Sequence, residues 1–174
     1  MKLTVNGVAR TIESAPLTPL LHVLREELGI TSPKAGCQQG GCGSCTVLVA
    51  GAPRRACLLP VAALDGDEVT TVEGLGTPEA LAPIQAAFHE HYAAQCGFCT
   101  SGMVMAAHGY LQAGGSAERE SIQKALAGHV CRCTGYVKII NAVRAAAGGE
   151  VPATQRWLPQ PGEQPPVEIP GSPA

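Results

Sequence analysis

The 174-residue chain is poor in aromatic side chains, with two Phe, three Tyr and one Trp. Alanine, valine and leucine carry most of its apolar content, so any core is thin, and bound metal is one source of the missing folding energy. No run of lysine and arginine occurs, and the formal charge is only −2. Together these exclude nucleic acid and anionic membrane surfaces as main partners. The first residues, MKLTVNGVAR, lack the apolar stretch of a secretory signal, and Arg54-Arg55 is internal and does not read as a twin-arginine leader. No apolar stretch approaches a bilayer span. The expected location is therefore cytoplasmic, with no membrane insertion. The chain also lacks a solenoid-type repeat, a phosphate loop and a nucleophile paired with a base. No catalytic residue is expected on it, and no substrate chemistry of its own.

What the sequence does have is cysteine, eight residues in two groups of four. Cys37, Cys42, Cys45 and Cys57 occur in CQQGGCGSC and RRACLLP; Cys96, Cys99, Cys131 and Cys133 occur in QCGFC and CRCTGY. Cytosolic thiols stay reduced, so this pattern reads as metal ligation rather than as a disulfide framework. The first group is C-x4-C-x2-C with a fourth cysteine twelve residues on, the plant-type [2Fe–2S] spacing. Zinc is its rival, but structural zinc favours C-x2-C pairs and fits the x4 gap less well. The second group is C-x2-C, a gap of 31 residues, then C-x-C. Taken alone it is open to zinc, to a redox-active Cys131 and Cys133, or to a second cluster. Helix placement favours the cluster. Each pair sits at an expected helix entrance, where the local positive potential favours thiolate.

Residues 2–13 read as a hairpin turning at Asn6-Gly7. A helix follows, with Thr18 as N-cap, Pro19 in the first turn, an apolar stripe of Leu20, Leu24 and Leu28, and Gly29 at its end. The glycine-rich stretch 32–44 reads as a loop whose N–H groups can approach a negatively charged cluster. TVLVAG and residues 67–72 read as strands. Beyond EGLGTP at residues 73–78 the periodicity turns helical. Leu81, Ile84 and Phe88 share one face, as do Met103, Ala107, Tyr110 and Leu111. Ile122 and Leu126 begin a third segment, and Val137, Ile140, Val143 and Arg144 fall in a fourth. Four short helices point to a compact bundle. From residue 148 the chain is rich in proline and polar residues and reads as an extended tail, with Trp157 and Leu158 its conspicuous apolar pair.

The order of strands, helix, cysteine loop and strands resembles the β-grasp layout of plant-type ferredoxins. More specifically, CQQGGCGSCTV, AQCGFCTSGM and CRCTGY resemble the small iron–sulfur subunit of the molybdenum hydroxylases, the xanthine oxidase family. All eight cysteines match in order and spacing, and the resemblance covers residues 1 to about 147. It implies an α+β chain with an N-terminal β-grasp plant-type ferredoxin domain over 1–77, a C-terminal four-helix bundle domain over 78–147, and a tail over 148–174. It further implies that Cys37, Cys42, Cys45 and Cys57 hold an outer [2Fe–2S] cluster, and Cys96, Cys99, Cys131 and Cys133 an inner one. Gln95 and Cys133 would contact a molybdopterin-type cofactor in a large molybdenum-binding subunit. Electrons would leave through the outer cluster to a medium FAD-binding subunit or another acceptor. Two positions depart from the family's common form. Ser101 stands where proline is common and is expected to cap its helix, and His129 stands where asparagine precedes the C-R-C motif.

Two other readings stand beside this one, a free-standing two-cluster ferredoxin shuttle and a zinc-stapled interaction module. His22, His89, His91 and His108 read as solvated or packed, Met103 and Met105 as packing residues, and Asp65, Asp67 and Glu68 as a solvated turn.

Overall fold

Asn6 and Gly7 both take positive φ, 52° and 75°, and turn the chain between β1 (Lys2–Val5) and β2 (Val8–Thr11). The structure, a computed structural model, describes residues 1–149. The expected tail with Trp157 and Leu158 lies, from residue 150 on, outside the described residues. Asn6 does more than turn the hairpin. Its side-chain oxygen accepts from the Thr71 amide at 2.8 Å and its amide donates to the Thr71 hydroxyl at 2.9 Å.

The helix expected next is short. α1 (Leu20–His22) makes one turn and widens into a π-helical turn over Val23–Glu27. Pro19, not Thr18, is its N-cap, and no side chain caps it. Thr18 is held in extended pairing instead: its carbonyl accepts from Val61 N–H at 2.9 Å, and Pro19 bridges to Pro60. That pairing delays the helix by a residue. The apolar stripe is as expected, with Leu20 and Leu24 fully buried and Leu28 against the edge of the same core.

After the cysteine loop come β3 (Thr46–Val49), β4 (Ala52–Arg55) and β5 (Glu68–Thr70). β4 is a strand the sequence hides, because Pro53 sits inside it. The sheet order β2-β1-β5-β3-β4 places β4 at an edge, where a missing N–H is tolerated. β1 and β5 pair in parallel and the other neighbours antiparallel. Leu3, Val5, Leu20, Leu24, Val47 and Val69 are among the side chains of the core between this sheet and α1.

Four helices follow: α2 (Pro83–Glu90), α3 (Thr100–Gln112), α4 (Arg119–Ala125) and α5 (Val137–Ala146). Pro83 occupies the first position of α2, and the Gln85 side chain accepts the Ala82 N–H at 2.9 Å. A second core gathers Ile84, Phe88, Met103, Ala107, Ile122, Leu126, Ile140 and Val143. Leu81 and Val137 depart from the expected buried faces, each 43% exposed. Leu81 precedes α2, and Val137 is the first residue of α5, where that face has not yet met a neighbour. The fold is mixed α+β. Among the described residues, no helix is long and apolar enough to cross a membrane.

α3 also lies on the sheet, through two glycines. A Cβ on Gly109 would stand 2.5 Å from the Pro53 side chain, and one on Gly102 would stand 2.1 Å from the Gly43 carbonyl. These glycines bring the helix that follows Cys99 down onto the loop that carries Cys42 and Cys45.

Candidate metal centres

The loop from Cys37 to Cys45 is shaped by backbone that only glycine adopts readily. Gln38, Gly40 and Gly43 have φ of 55°, 80° and 77°. The result is a nest of amides aimed at sulfur. Cys37 Sγ accepts from the N–H groups of Gln39 at 3.4 Å and Cys42 at 3.3 Å, and Cys42 Sγ accepts from Cys37 N–H at 3.4 Å. Gly36 leaves the space these thiols need, since a Cβ there would come within 2.9 Å of Cys42 Sγ. The Gln39 and Cys42 amides pull the Cys37 thiol down to about 6, close to thiolate at neutral pH. Cys45 starts at the foot of β3, and Cys57 lies in a single helical turn after β4; both are buried. Burial, and then the neighbouring Cys57, push the Cys45 thiol up to about 11.

The second site is built from two turns. Cys96 and Cys99 precede α3, with Cys99 as its N-cap. Cys131 and Cys133 lie in the turn before α5, four or more residues ahead of its first turn rather than directly at its entrance. Tyr136, held at φ 70°, places its hydroxyl to accept from Cys131 N–H at 2.9 Å. Cys96 and Cys133 are exposed and their sulfurs lie 3.6 Å apart. Cys99 and Cys131 interact directly. Burial pushes Cys99 up to about 12. Burial also acts to raise Cys131, but the Thr134 hydroxyl, donating at 3.1 Å, and the Thr134 and Cys133 amides outweigh it and bring that thiol below its usual range.

In both sites the thiols stand two and two: Cys37 with Cys42, Cys45 with Cys57, Cys96 with Cys133, and Cys99 with Cys131. Among the described residues no three His, Cys, Asp or Glu side chains converge for a single ion. Paired thiols with amides pointing at sulfur fit a two-iron cluster, whose four thiolates are shared between two irons, and fit one tetrahedral ion less well. The residues present therefore suit [2Fe–2S] groups. One hollow of about 240 Å³ is lined by Cys37 and Cys42 of the first site and by all four cysteines of the second, with Phe98 and Val130 between. The two sites are neighbours across the junction of the two cores. Gln95 is exposed, immediately before Cys96.

At this junction the sequence singled out His129 and Ser101 as departures from the family's common form, but not Arg55 or Thr46. Arg55, Thr46 and His129 form one hydrogen-bonded group. Burial, and then the Arg55 charge, pull the His129 imidazole down to about 4, so it is neutral. Ser101 does not cap α3. Its hydroxyl donates to the Ser32 carbonyl, tying the helix to the start of the first cysteine loop. The available signal was proximity in sequence: Thr46 follows Cys45, Arg55 precedes Cys57 by two, and His129 precedes Cys131 by two.

The fold and its thiol sites define a protein of two [2Fe–2S] domains. Residues 3–74 match the 2Fe-2S iron-sulfur cluster binding domain family, and residues 71–144 match the [2Fe-2S] binding domain family. The nicotinate dehydrogenase small FeS subunit of Eubacterium barkeri is 41% identical over 84% of this chain and 93% of its own length. The nicotine 6-hydroxylase small subunit of Paenarthrobacter nicotinovorans is 45% identical over 83% of this chain and 87% of its own. The crystal structure of quinoline 2-oxidoreductase from Pseudomonas putida 86 superposes with a TM-score of 0.80 at 42% identity, over 87% of this chain and 97% of that one. The chain belongs to the [2Fe–2S] small subunits of the molybdenum hydroxylases. It is an electron-transfer component of an oxidoreductase and carries two [2Fe–2S] clusters.

Proposed function

We propose that Cys37, Cys42, Cys45 and Cys57 hold the outer cluster, that Cys96, Cys99, Cys131 and Cys133 hold the inner one, and that Gln95 and Cys133 face the molybdopterin of a large partner subunit. The supporting observation is the two-and-two pairing of thiols in both sites, with backbone amides directed at Cys37 and Cys42. When bound, the clusters supply one-electron storage between the partner's molybdenum site and an acceptor. The chain's residues do the rest. Amides and the Thr134 hydroxyl offset thiolate charge, buried Cys45 and Cys57 keep water from one side of the outer site, and exposed Gln95, Cys96 and Cys133 present the inner site to a partner.

The reading extends to two working units, a β-grasp half over 1–77 and a four-helix bundle half over 78–147. Each has its own apolar core, and the two family matches meet at residues 71–74. A medium FAD-binding subunit receives the electrons, and the complex works in the cytoplasm. The relatives are named for reactions on nicotinate, nicotine and quinoline, all nitrogen heteroaromatics, and this chain's complex acts on a substrate that its large subunit selects.

Cys42→Ser tests the assignment. The assembled complex should lose one of two reduced [2Fe–2S] signals in electron paramagnetic resonance, with iron and acid-labile sulfide falling by half. Two persisting signals would overturn the ligand sets. A small coloured monomer on gel filtration of the native material would favour a free shuttle instead.

A further inference from the structure

Where the two halves meet, one guanidinium contacts four residues in three pieces of chain. Arg55 Nη1 lies 2.8 Å from His129 Nε2 and donates to Thr46 Oγ1 at 2.5 Å. Its Nη2 donates to the Gly128 carbonyl at 3.1 Å, and its Nε to the Gly40 carbonyl at 3.3 Å. Thr46 Oγ1 also stands 3.0 Å from His129 Nε2 and 2.7 Å from the Gly43 carbonyl. A guanidinium only donates, so the contact with Arg55 needs Nε2 of His129 as acceptor. This leaves the ring proton on a buried Nδ1 that has no hydrogen-bond partner among the described residues. The His129 ring is buried and fills the space over Gly43, where a Cβ would meet ring carbons at 2.5 and 2.8 Å.

Each of these atoms is within a few residues of a cysteine. Gly40 lies between Cys37 and Cys42, Thr46 follows Cys45, Arg55 precedes Cys57, and Gly128 and His129 lead into Cys131. Beside the group, Val130 N–H donates to the Cys42 carbonyl at 2.9 Å. A shift of about 1 Å between the halves would break several of these bonds together, leaving donors and acceptors at the junction unpaired. Helix packing through Gly102 sets how closely the halves approach. The directional contacts of Arg55 set how they are turned and slid against each other.

We propose that Arg55, seated on Thr46 and His129, is a positioning residue that fixes the spacing of the two four-cysteine sites and thereby the rate at which electrons pass between them; this rests on the ligand sets proposed above. The step is a single-electron exchange. One site is oxidised by one electron, the other is reduced by one, and no bond forms or breaks. Its rate falls steeply with separation, so a small loss of register is enough to slow it.

The test uses the assembled complex, reduced and frozen for electron paramagnetic resonance, together with hydrogen exchange at the Val130 amide. The presence of two [2Fe–2S] signals reports on the ligand sets, whereas the spin–spin splitting between them reports on spacing. In Arg55→Met both signals should remain, the splitting should change, and Val130 should exchange about tenfold faster. His129→Leu should reproduce this. His129→Asn, whose side-chain oxygen can accept in place of Nε2, should stay near the parent values. Unchanged splitting and exchange in Arg55→Met and His129→Leu would overturn the proposal, as would identical behaviour of leucine and asparagine at 129. If Arg55→Met does not assemble, the pair at 129 decides alone. A parent complex with a single signal would overturn the ligand sets and the proposal together, whereas unchanged splitting removes only the latter.

Discussion

Gly102 of α3 lies against the carbonyl of Gly43, so closely that a Cβ on Gly102 would come within 2.1 Å of that oxygen. The contact is backbone to backbone, and the Gly43 Cα environment is closed in turn by the His129 ring. In a free helix alanine is favoured over glycine by about 1 kcal/mol. Here the clash wins. Gly102→Ala is expected to destabilise the protein by about 3 kcal/mol, the upper end of overpacking costs. A lowered urea midpoint with an unchanged slope would show it. A midpoint equal to or above the parent's would mean that α3 does not rest on the loop.

The hydroxyl of Thr134 donates to Cys131 Sγ at 3.1 Å. A donor to a ligand sulfur stabilises the more negative, reduced state of a cluster and so raises its potential. Thr134→Val keeps the shape and removes the donor. The inner site is expected to become harder to reduce, with the outer one unmoved. A potentiometric titration followed by electron paramagnetic resonance separates the two. Equal shifts in both, or none, would count against Cys131 as an inner ligand.

That the chain has two [2Fe–2S] domains was legible because the signal is local: cysteine spacing is a sequence property, and eight thiols in this order leave few readings. The hairpin at Asn6-Gly7 and the buried stripe of Leu20 and Leu24 were legible for the same reason. Three features were not. β4 was hidden by Pro53, which is tolerated only because the sheet places that strand at an edge. The late start of α1 follows from pairing of Thr18 and Pro19 with residues some forty positions away. The Arg55–Thr46–His129 group joins residues up to 83 apart in sequence, and no spacing rule announces it. Side-chain junctions between two cores are tertiary facts.

Glu73 accepts from the Ser32 amide at 3.1 Å and from the hydroxyls of Ser32 and Thr71, at 2.5 and 2.6 Å. It thereby ties the approach to the first cysteine loop to the segment between the two cores. Partial burial acts to raise its pKa, but the Ser32 and Thr71 hydroxyls outweigh it, and the group ends below the usual 4.5. A depressed carboxylate stabilises the folded state above its unfolded value and loses that contribution as pH falls through the lower folded value. The difference in stability between the parent and Glu73→Gln should therefore be constant above about pH 5.5 and shrink as pH falls below 4.5. Denaturant midpoints measured for both across this range provide the check. A difference that grows toward acid would show the carboxylate to be unfavourably placed.

Gln95 is exposed and directly precedes Cys96, whose sulfur lies 3.6 Å from that of Cys133. An exposed glutamine contributes little to the stability of its own chain. Any cost of removing it must therefore arise in the complex, where its amide would otherwise bond to the partner's cofactor. Gln95→Ala is expected to fold normally, retain full iron and sulfide, and show both [2Fe–2S] signals. Turnover of the complex, or affinity for the large subunit, should fall about fivefold, the equivalent of one hydrogen bond of roughly 1 kcal/mol. Measuring iron content and turnover on the same preparation separates a contact across the interface from damage to the site. Loss of iron in step with turnover would place Gln95 in support of the inner cysteines, and unchanged turnover would remove it from the interface.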